Sequence, residues 1–346
     1  MVHNTDARHR IGFVLIPQFS MIAFASAVET LRLANSVIGK PAYSWRTLSG
    51  RDRSVAASNG LEVTVDEKLR DTGPLDTIFV CGGVDIQDHE DKSIIAGLRK
   101  HAAHGVTLGA LCTGTHLLAR AGLLNGYRCT IHWVRIPAFV EAFPDVEVVP
   151  DLFAVDRNRY TCAGGTAVLD LMLSLISDQY GLAVASAVSD GLIHHRIREP
   201  HEGQRMDLQL RSGVSHPKLL SVIETMENNL EQPANCNELA SSVNLSIRQM
   251  ERLFHHHLGL PPTRYYLRMR IERARFLLRE TPLPIFDIAL ATGFASASHF
   301  SKCFRAQFGV SPSSERRSKK AFESSSATTT RQLPKNSSPN LAAPTG

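Results

Sequence analysis

Over the first 200 residues the hydrophobic positions fall into short continuous runs, each followed by a stretch with helical spacing. The runs are IGFVLI (11–16), LDTIFVC (75–81) and VTLGALC (106–112). The stretches after them are MIAFASAVETLRLANSV, a segment near 91–103 and THLLARAGLL. Then come VEVVP, LFAVD and RYTCA (159–163), a helix from Ala167 to Tyr180 and a further one over 181–196. A strand that is apolar throughout has to be covered on both faces. Such strands, each followed by a helix, predict an α/β domain with a mostly parallel sheet and helices on both sides.

From residue 236 the pattern becomes helical and repeats itself. Ser246 recurs as Ser296, Phe254 as Phe304, Gly259 as Gly309 and Pro262 as Pro312, always at an offset of 50. SIRQMERLFHHHLGLPP aligns with SASHFSKCFRAQFGVSP, and a short helix precedes each copy, CNELASSV and PIFDIALATGF. Two copies of one supersecondary unit are implied, each helix, turn, helix. Ser246 and Ser296 are suited to capping the second helices, and Gly293 and Gly309 to left-handed or tight positions after helices. Met250, Leu253, Phe254 and His257, and in the second copy Phe300, Cys303, Phe304 and Gln307, repeat at i, i+3, i+4, i+7, which predicts core-facing stripes. Between the copies, residues 262–280 read as one long helix.

Composition alone changes little: 43% hydrophobic residues suffice for a core and exclude wholesale disorder. A formal charge of +5 gains meaning when it is located along the chain. Residues 1–216 carry 21 basic and 23 acidic side chains, whereas 246–320 carry 14 basic and 5 acidic. A near-neutral body joined to a basic module points to a polyanionic partner. No stretch approaches the ~20 uninterrupted apolar residues of a membrane helix. The polar start MVHNTDARHRIGF is unlike a secretory signal, so a cytoplasmic chain, at the nucleoid when DNA-bound, is expected. Six cysteines without CxxC pairing suggest reduced thiols and no zinc cluster. Residues 196–216 are polar with Pro200, Gly203 and Gly213 and read as a linker. Residues 316–346, rich in Ser, Thr, Pro and Asn, read as a disordered tail.

Opposite their apolar stripes, the repeated helices carry Arg248, Gln249 and Arg252 in the first copy and Ser298, His299, Lys302 and Arg305 in the second. Arg and Gln make bidentate contacts with guanine and adenine edges, and Lys or Ser reach phosphates or bases. A 19-residue spacer at ~1.5 Å per residue spans about 28 Å, close to the ~34 Å between successive major grooves. Two such helices are therefore expected to read one site. His255, His256 and His257 diverge on a helix and do not suit one metal ion; one core and two surface histidines are expected.

These residues carry a resemblance. The segment 217–315 resembles the DNA-binding domain of AraC/XylS transcription regulators, most closely in DIALATGFASASHFSKCFRAQFGVSP and LASSVNLSIRQMERLFHHHLGLPP. The resemblance implies two helix-turn-helix units with recognition helices near 246–257 and 296–308. It places Ser246 and Ser296 with the exposed polar residues above as the DNA-binding set, and promoter DNA and RNA polymerase as partners.

In the α/β body the informative site is Gly109-Ala-Leu-Cys112-Thr-Gly114, where a strand ends and a helix begins, like a nucleophile elbow. A helix N-terminus at Thr113 would lower a thiol pKa and favour anions. His132 follows in CTIHW, so Cys112 and His132 are either a nucleophile–base pair or a small core Cys with a satisfied His. Gly82 and Gly83 would expose backbone N–H groups, forming with Thr113 a nest for a carboxylate. Trp133 either offers a π face to a cation or simply packs.

Residues 10–195 are similar to the PfpI-type, class I glutamine amidotransferase-like domain of GlxA-type regulators. The matching segments are CGG (81–83), ALCTGTHLLARAGLLNGYRCTIHW (110–133) and TCAGGTAVLDLMLSLI (161–176). The resemblance implies a flavodoxin-like sheet with Cys112 at the elbow. It also implies an acidic residue early in the first helix of enzymatic relatives, where this chain has Ala23; Glu29 lies two turns later. The loss of that carboxylate argues against an enzyme and for a pocket, formed by Gly82, Gly83, Cys112, Thr113, His132 and Trp133, that binds an effector without a cofactor or metal. The domain pair implies a regulator, most simply an activator, of a catabolic operon, responding to an amino acid or quaternary amine and dimerising through the N-terminal domain. A Cys-dependent amidohydrolase or deglycase, or a thiol redox sensor fused to a DNA-binding module, are the alternatives.

Overall fold

A computed structural model describes residues 8–317, apart from 85, 90, 206, 207 and 282. The expected tail beyond 317 lies outside the described residues.

The body runs β1 (His9–Leu15), α1 (Met21–Ile38), β2 (Tyr43–Ser49), β3 (Ser54–Ala56), β4 (Glu62–Thr64), β5 (Glu67–Lys68), β6 (Thr77–Cys81), α2 (Lys92–Ala103), β7 (Thr107–Leu111), α3 (Thr115–Arg120), β8 (Arg128–Cys129), α4 (Ile136–Ala142), β9 (Glu147–Val148), β10 (Phe153–Asp156), β11 (Arg159–Cys162), α5 (Ala167–Tyr180) and α6 (Leu182–Gly191). Seven strands form one sheet in the order β10-β11-β7-β6-β1-β2-β5. All its pairs are parallel except β10 with β11. The central strands are apolar throughout because both faces are covered. Phe13, Leu15 and Phe79 join one core with α1, α5 and α6, while Val14, Ile78 and Val80 join another with α2, α3 and α4. This is the flavodoxin-like α/β architecture.

Three features differ from the pattern-based expectation. β2, YSWRTLS, is absent from the apolar pattern, because only four of its seven residues are buried. The helix expected over THLLARAGLL stops at Arg120; Gly122 turns left-handed at φ 69°, and Leu124 reaches the core from the following turn. Lastly, α1 is, among the described residues, a helix whose length and mean hydropathy would suffice to cross a membrane. Its Ala23, Ala27, Leu31 and Ala34 are buried in the core that it shares with α5.

The helical part comprises α7 (Leu208–Ser212), α8 (Pro217–Asn228), α9 (Cys236–Ser242), α10 (Ile247–Leu258), α11 (Pro262–Glu280), α12 (Ile285–Ala291) and α13 (Ala297–Phe308). By internal contacts the chain separates into two compact units. One takes residues up to 228 with 235–262 and 280–281, the other 229–234, 263–279 and 283–317. In the second unit, Ile271, Ala274 and Leu278 of α11 pack on Ile288 of α12 and Phe300 and Phe304 of α13.

Candidate functional site

The two repeated helices form for local reasons. The Ser246 hydroxyl accepts from Gln249 N–H while the Gln249 side chain accepts from Ser246 N–H, a reciprocal cap on α10. Ser296 accepts from His299 N–H at the start of α13. Gly259 and Gly309 close both helices in the left-handed conformation, at φ 67° and 75°. The buried stripe is narrower than expected. Met250, Phe254, Phe300 and Phe304 are buried and Leu253 and Cys303 half-buried, but His257 and Gln307 are exposed. Seven residues fall only slightly short of two helical turns, but they carry these positions to the exposed helix end. All three histidines of 255–257 face solvent, so none is a core residue.

Arg248, Gln249, Arg252, Ser298, His299, Lys302 and Arg305 are all exposed, as are Ser246 and Ser296. Each helix thus presents a polar face with two cationic side chains. Gln249 differs from the rest, since its carbonyl oxygen is engaged by the Ser246 N–H and hydroxyl. In the second unit, Arg270 of α11 holds the turn that sets α13. Its guanidinium donates to the Thr292 and Gly293 carbonyls at 2.7 and 2.5 Å and lies 4.4 Å from the centre of the Phe294 ring. No local sequence pattern points to this contact, which joins residues more than twenty positions apart.

At the carboxyl edge of the sheet the chain is bent where the elbow is expected. Cys112 takes φ 60° and Gln18, after β1, φ 64°. Non-glycine residues rarely adopt this region, and such strain concentrates at functional sites. Cys112 is half-buried, whereas Cys81, Cys129 and Cys162 are buried. Burial pushes Cys129 and Cys162 up to about 12 and raises Cys81 further. Ala23 stands in the first turn of α1, which holds no acidic residue, and Glu29 pairs with Arg32 on the surface.

The anion nest is more occupied than the sequence suggests. Gly82 N–H donates to Leu111 O at 3.1 Å, and the buried Thr113 hydroxyl donates to Gly83 O at 2.6 Å. After a single tight turn at Cys112–Gly114, α3 begins at Thr115, not Thr113, and is six residues long. Its dipole is correspondingly small. Trp133 is also engaged. His132 stacks on it at 5.9 Å, and the Arg205 guanidinium lies 4.9 Å from its ring centre. A cation–π contact exists at Trp133, but its cation belongs to the chain.

The segment expected as a linker supplies that cation and is fastened to the body. Arg198 makes a two-nitrogen contact with the fully buried Asp170, which His194 also touches at 2.9 Å. The Gln204 amide donates to Ile131 O and Asp151 O, and accepts from Trp133 N–H at 2.7 Å. Arg205 then reaches Glu227 of α8 at 3.3 Å, beside Arg211 at 2.8 Å. Burial opposes charge on Glu227, but these two arginines outweigh it and hold the carboxyl below its ordinary value.

With this geometry in view, comparisons place the chain. A helix-turn-helix domain family matches residues 239–318, and the DJ-1/PfpI family matches residues 9–178. The HTH-type transcriptional regulator GbdR of Pseudomonas aeruginosa is 46% identical over 306 residues, covering 88% of this chain and 83% of that protein. The chain belongs to the AraC-type transcription regulators with a DJ-1/PfpI domain. The regulator GlxA of Rhizobium meliloti is 38% identical over 320 residues, 92% of this chain and 99% of that one. A ThiJ/PfpI family protein from Pseudomonas syringae, 19% identical, covers 64% of this chain and 87% of its own with a TM-score of 0.50, a likeness of fold. The regulator is therefore a DNA-binding protein with a PfpI-like sensing domain, and relatives that match it over most of its length carry regulator names.

Proposed function

We propose that the regulator senses a small molecule at the carboxyl edge of its sheet and passes the occupancy to its DNA-binding helices, acting as an activator of a catabolic operon. The observation that carries this reading is Arg205, which touches both Trp133 beside His132 and Glu227 of α8. A ligand that moves the His132–Trp133 loop alters the seat of Arg205. It can shift the DNA-binding state only by its differential affinity for the two arrangements. Cys112, Gly83 and His132 are the contacts proposed for it, with Gly82, Thr113 and Trp133 shaping the edge. The family resemblance favours an amino acid or a quaternary amine as the effector, RNA polymerase as a partner and a homodimer through the N-terminal domain. It also favours the domain limits 10–195 and 217–315.

For DNA, the exposed face of α10 offers Arg248 and Arg252, and that of α13 offers Lys302 and Arg305, with Ser298 and His299 beside them; Ser246 and Ser296 cap the helices and Gln249 braces the first cap. Arg248→Ala or Arg305→Ala is expected to cost about 1–3 kcal/mol at one base pair if the side chain reads a base, and to weaken all sequences alike if it meets a phosphate. Footprints unchanged in both variants would overturn the assignment. Cys112→Ala separates the effector reading from its rivals. Retained effector-dependent activation removes most support from a Cys112 hydrolase or redox sensor, whereas loss of a substrate turnover would restore the enzyme reading.

A further inference from the structure

The two copies of the helix-turn-helix unit differ at the turn. After α9 the chain enters the left-handed region at Asn244, φ 53°; after α12 it does so at Gly293, φ 74°. Leu245 N–H and Phe294 N–H then make equivalent bonds, to Ala240 O and Ala289 O. Only Leu245 lies between Asn244 and the Ser246 cap, whereas Phe294 and Ala295 lie between Gly293 and the Ser296 cap. Asparagine tolerates the left-handed region, so backbone conformation alone does not demand glycine at 293. Space does. A Cβ on Gly293 would lie 2.6 Å from the Leu230 carbonyl oxygen and 2.7 Å from the Pro233 ring. That close neighbour is the segment Asn229–Ala234. In sequence it leads into the first copy, yet it packs on the turn of the second, inside the second compact unit.

Two side chains of α11 hold this arrangement. The hydroxyl of the buried Tyr266 donates to Asn229 O. Four residues on, the Arg270 guanidinium takes the Thr292 and Gly293 carbonyls, where a cation also suits the carbonyl end of α12. Phe294, under that guanidinium, packs on the His299 and Phe300 rings at 5.6 and 5.3 Å, in the first turn of α13. Contacts therefore run without a gap from Asn229 to the helix that exposes Ser298, His299, Lys302 and Arg305.

We propose that Asn229–Ala234 is a positioning strap for α13. Tyr266, Arg270 and Gly293 seat the strap and the turn against each other, and the seated turn fixes the angle at which α13 meets a base pair. None of the three is fully exposed, so they act through α13 and not by touching DNA. Hydrogen bonds weaken steeply with misalignment. A small tilt of α13 then costs discrimination at the base pairs that it reads and spares those read by α10. The inference rests on α13 meeting DNA, and the experiment separates the two.

A duplex selected by the protein from random sequences is substituted one base pair at a time, and affinities are measured for the full chain. Arg248→Ala and Arg305→Ala mark the positions read by α10 and by α13. Gly293→Asn installs the residue type that the first copy holds left-handed, but drives its side chain against the strap. Gly309→Asn is the control, at φ 75° with nothing within 4 Å of the added Cβ. Gly293→Asn should lower discrimination about fivefold to tenfold at the α13 positions and leave the α10 positions within about twofold. Arg270→Ala should do the same, and Arg270→Lys, which keeps a donor for one carbonyl, should restore part of the loss. Gly309→Asn should keep the parent profile. Circular dichroism checks folding; should Gly293→Asn not fold, Tyr266→Phe, which lacks only a hydroxyl, carries the same comparison with a smaller shift. Equal losses at both sets of positions, or a profile unchanged in Gly293→Asn and Arg270→Ala alike, would overturn the strap. An Arg305→Ala profile identical to the parent's would remove α13 from DNA, and the strap's role with it.

Discussion

Gly114 leaves no room for a methyl group. A Cβ there would lie 2.1 Å from the carbonyl oxygen of Val80 and 3.2 Å from Gly82 N, both backbone atoms that cannot swing aside. The turn after Cys112 packs directly on the end of β6, and that contact fixes the elbow. Gly122 is the useful contrast, since it has φ 69° and nothing lies within 4 Å of the place a Cβ would take. Gly114→Ala should therefore cost about 3 kcal/mol through overpacking, and Gly122→Ala about 1 kcal/mol through backbone strain alone. Urea unfolding measures both, and equal losses would contradict the packing described for the elbow. The thiols give a second check at this scale. A maleimide at about pH 7.5 should modify Cys112 in the folded protein and reach Cys81, Cys129 and Cys162 only after unfolding, since those three are buried and held protonated.

Among the elements, α11 depends on one carboxylate. Glu315 is buried and accepts from Arg275 at 2.7 Å and Arg279 at 2.6 Å. Burial opposes its charge, but the two arginines outweigh it and hold the carboxyl below its ordinary value. A carboxyl with a lowered folded pKa stabilises fully above its unfolded pKa and loses that contribution as pH falls through the folded value. The second unit should thus weaken progressively below about pH 5. Glu315→Gln should cost about 1–2 kcal/mol at pH 7 and flatten this acid limb. Unfolding of the full chain followed from about pH 7 to about pH 3 tests it, and an unchanged acid limb in the variant would count against the pairing. What can be read from the sequence follows the same division between local and distant. The caps at Ser246 and Ser296, the glycine stops and the 262–280 helix depend on neighbours within a turn, and each is legible. β2 is not, because a strand that is only partly buried loses the continuous apolar run. The polar residues of 196–205 look like a loose connection. Arg198 and Gln204 in fact answer partners 28 and 73 residues away, and no local pattern records such pairs. For the same reason the sequence leaves Trp133 between a π face for a ligand and plain packing, when Arg205 of the same chain lies over it.

Across the whole molecule, the uneven charge separates two tasks and the 196–216 segment joins them. The near-neutral body holds the strained carboxyl edge, and the basic residues concentrate in 246–320. If occupancy at the body alters DNA binding, then DNA binding must alter the body by the same free energy, because coupling between two sites is reciprocal. That gives a test that needs no knowledge of the effector. The chain has two tryptophans, Trp45 and Trp133. With Trp45→Phe, Trp133 becomes the sole indole reporter, placed against His132 and beneath Arg205, whose other partner is Glu227 of α8. Titration with a duplex selected by the protein from random sequences should shift Trp133 emission with the same midpoint as binding itself. Arg205→Ala should abolish most of that shift while leaving basal DNA affinity within about threefold, because Arg205 is not on the exposed faces of α10 or α13. Glu227→Gln should act in the same direction, and the double variant should add little to either, as expected for residues in one contact chain. Emission that ignores DNA in the parent protein, or that survives Arg205→Ala unchanged, would remove Arg205 from the path between sensor and DNA.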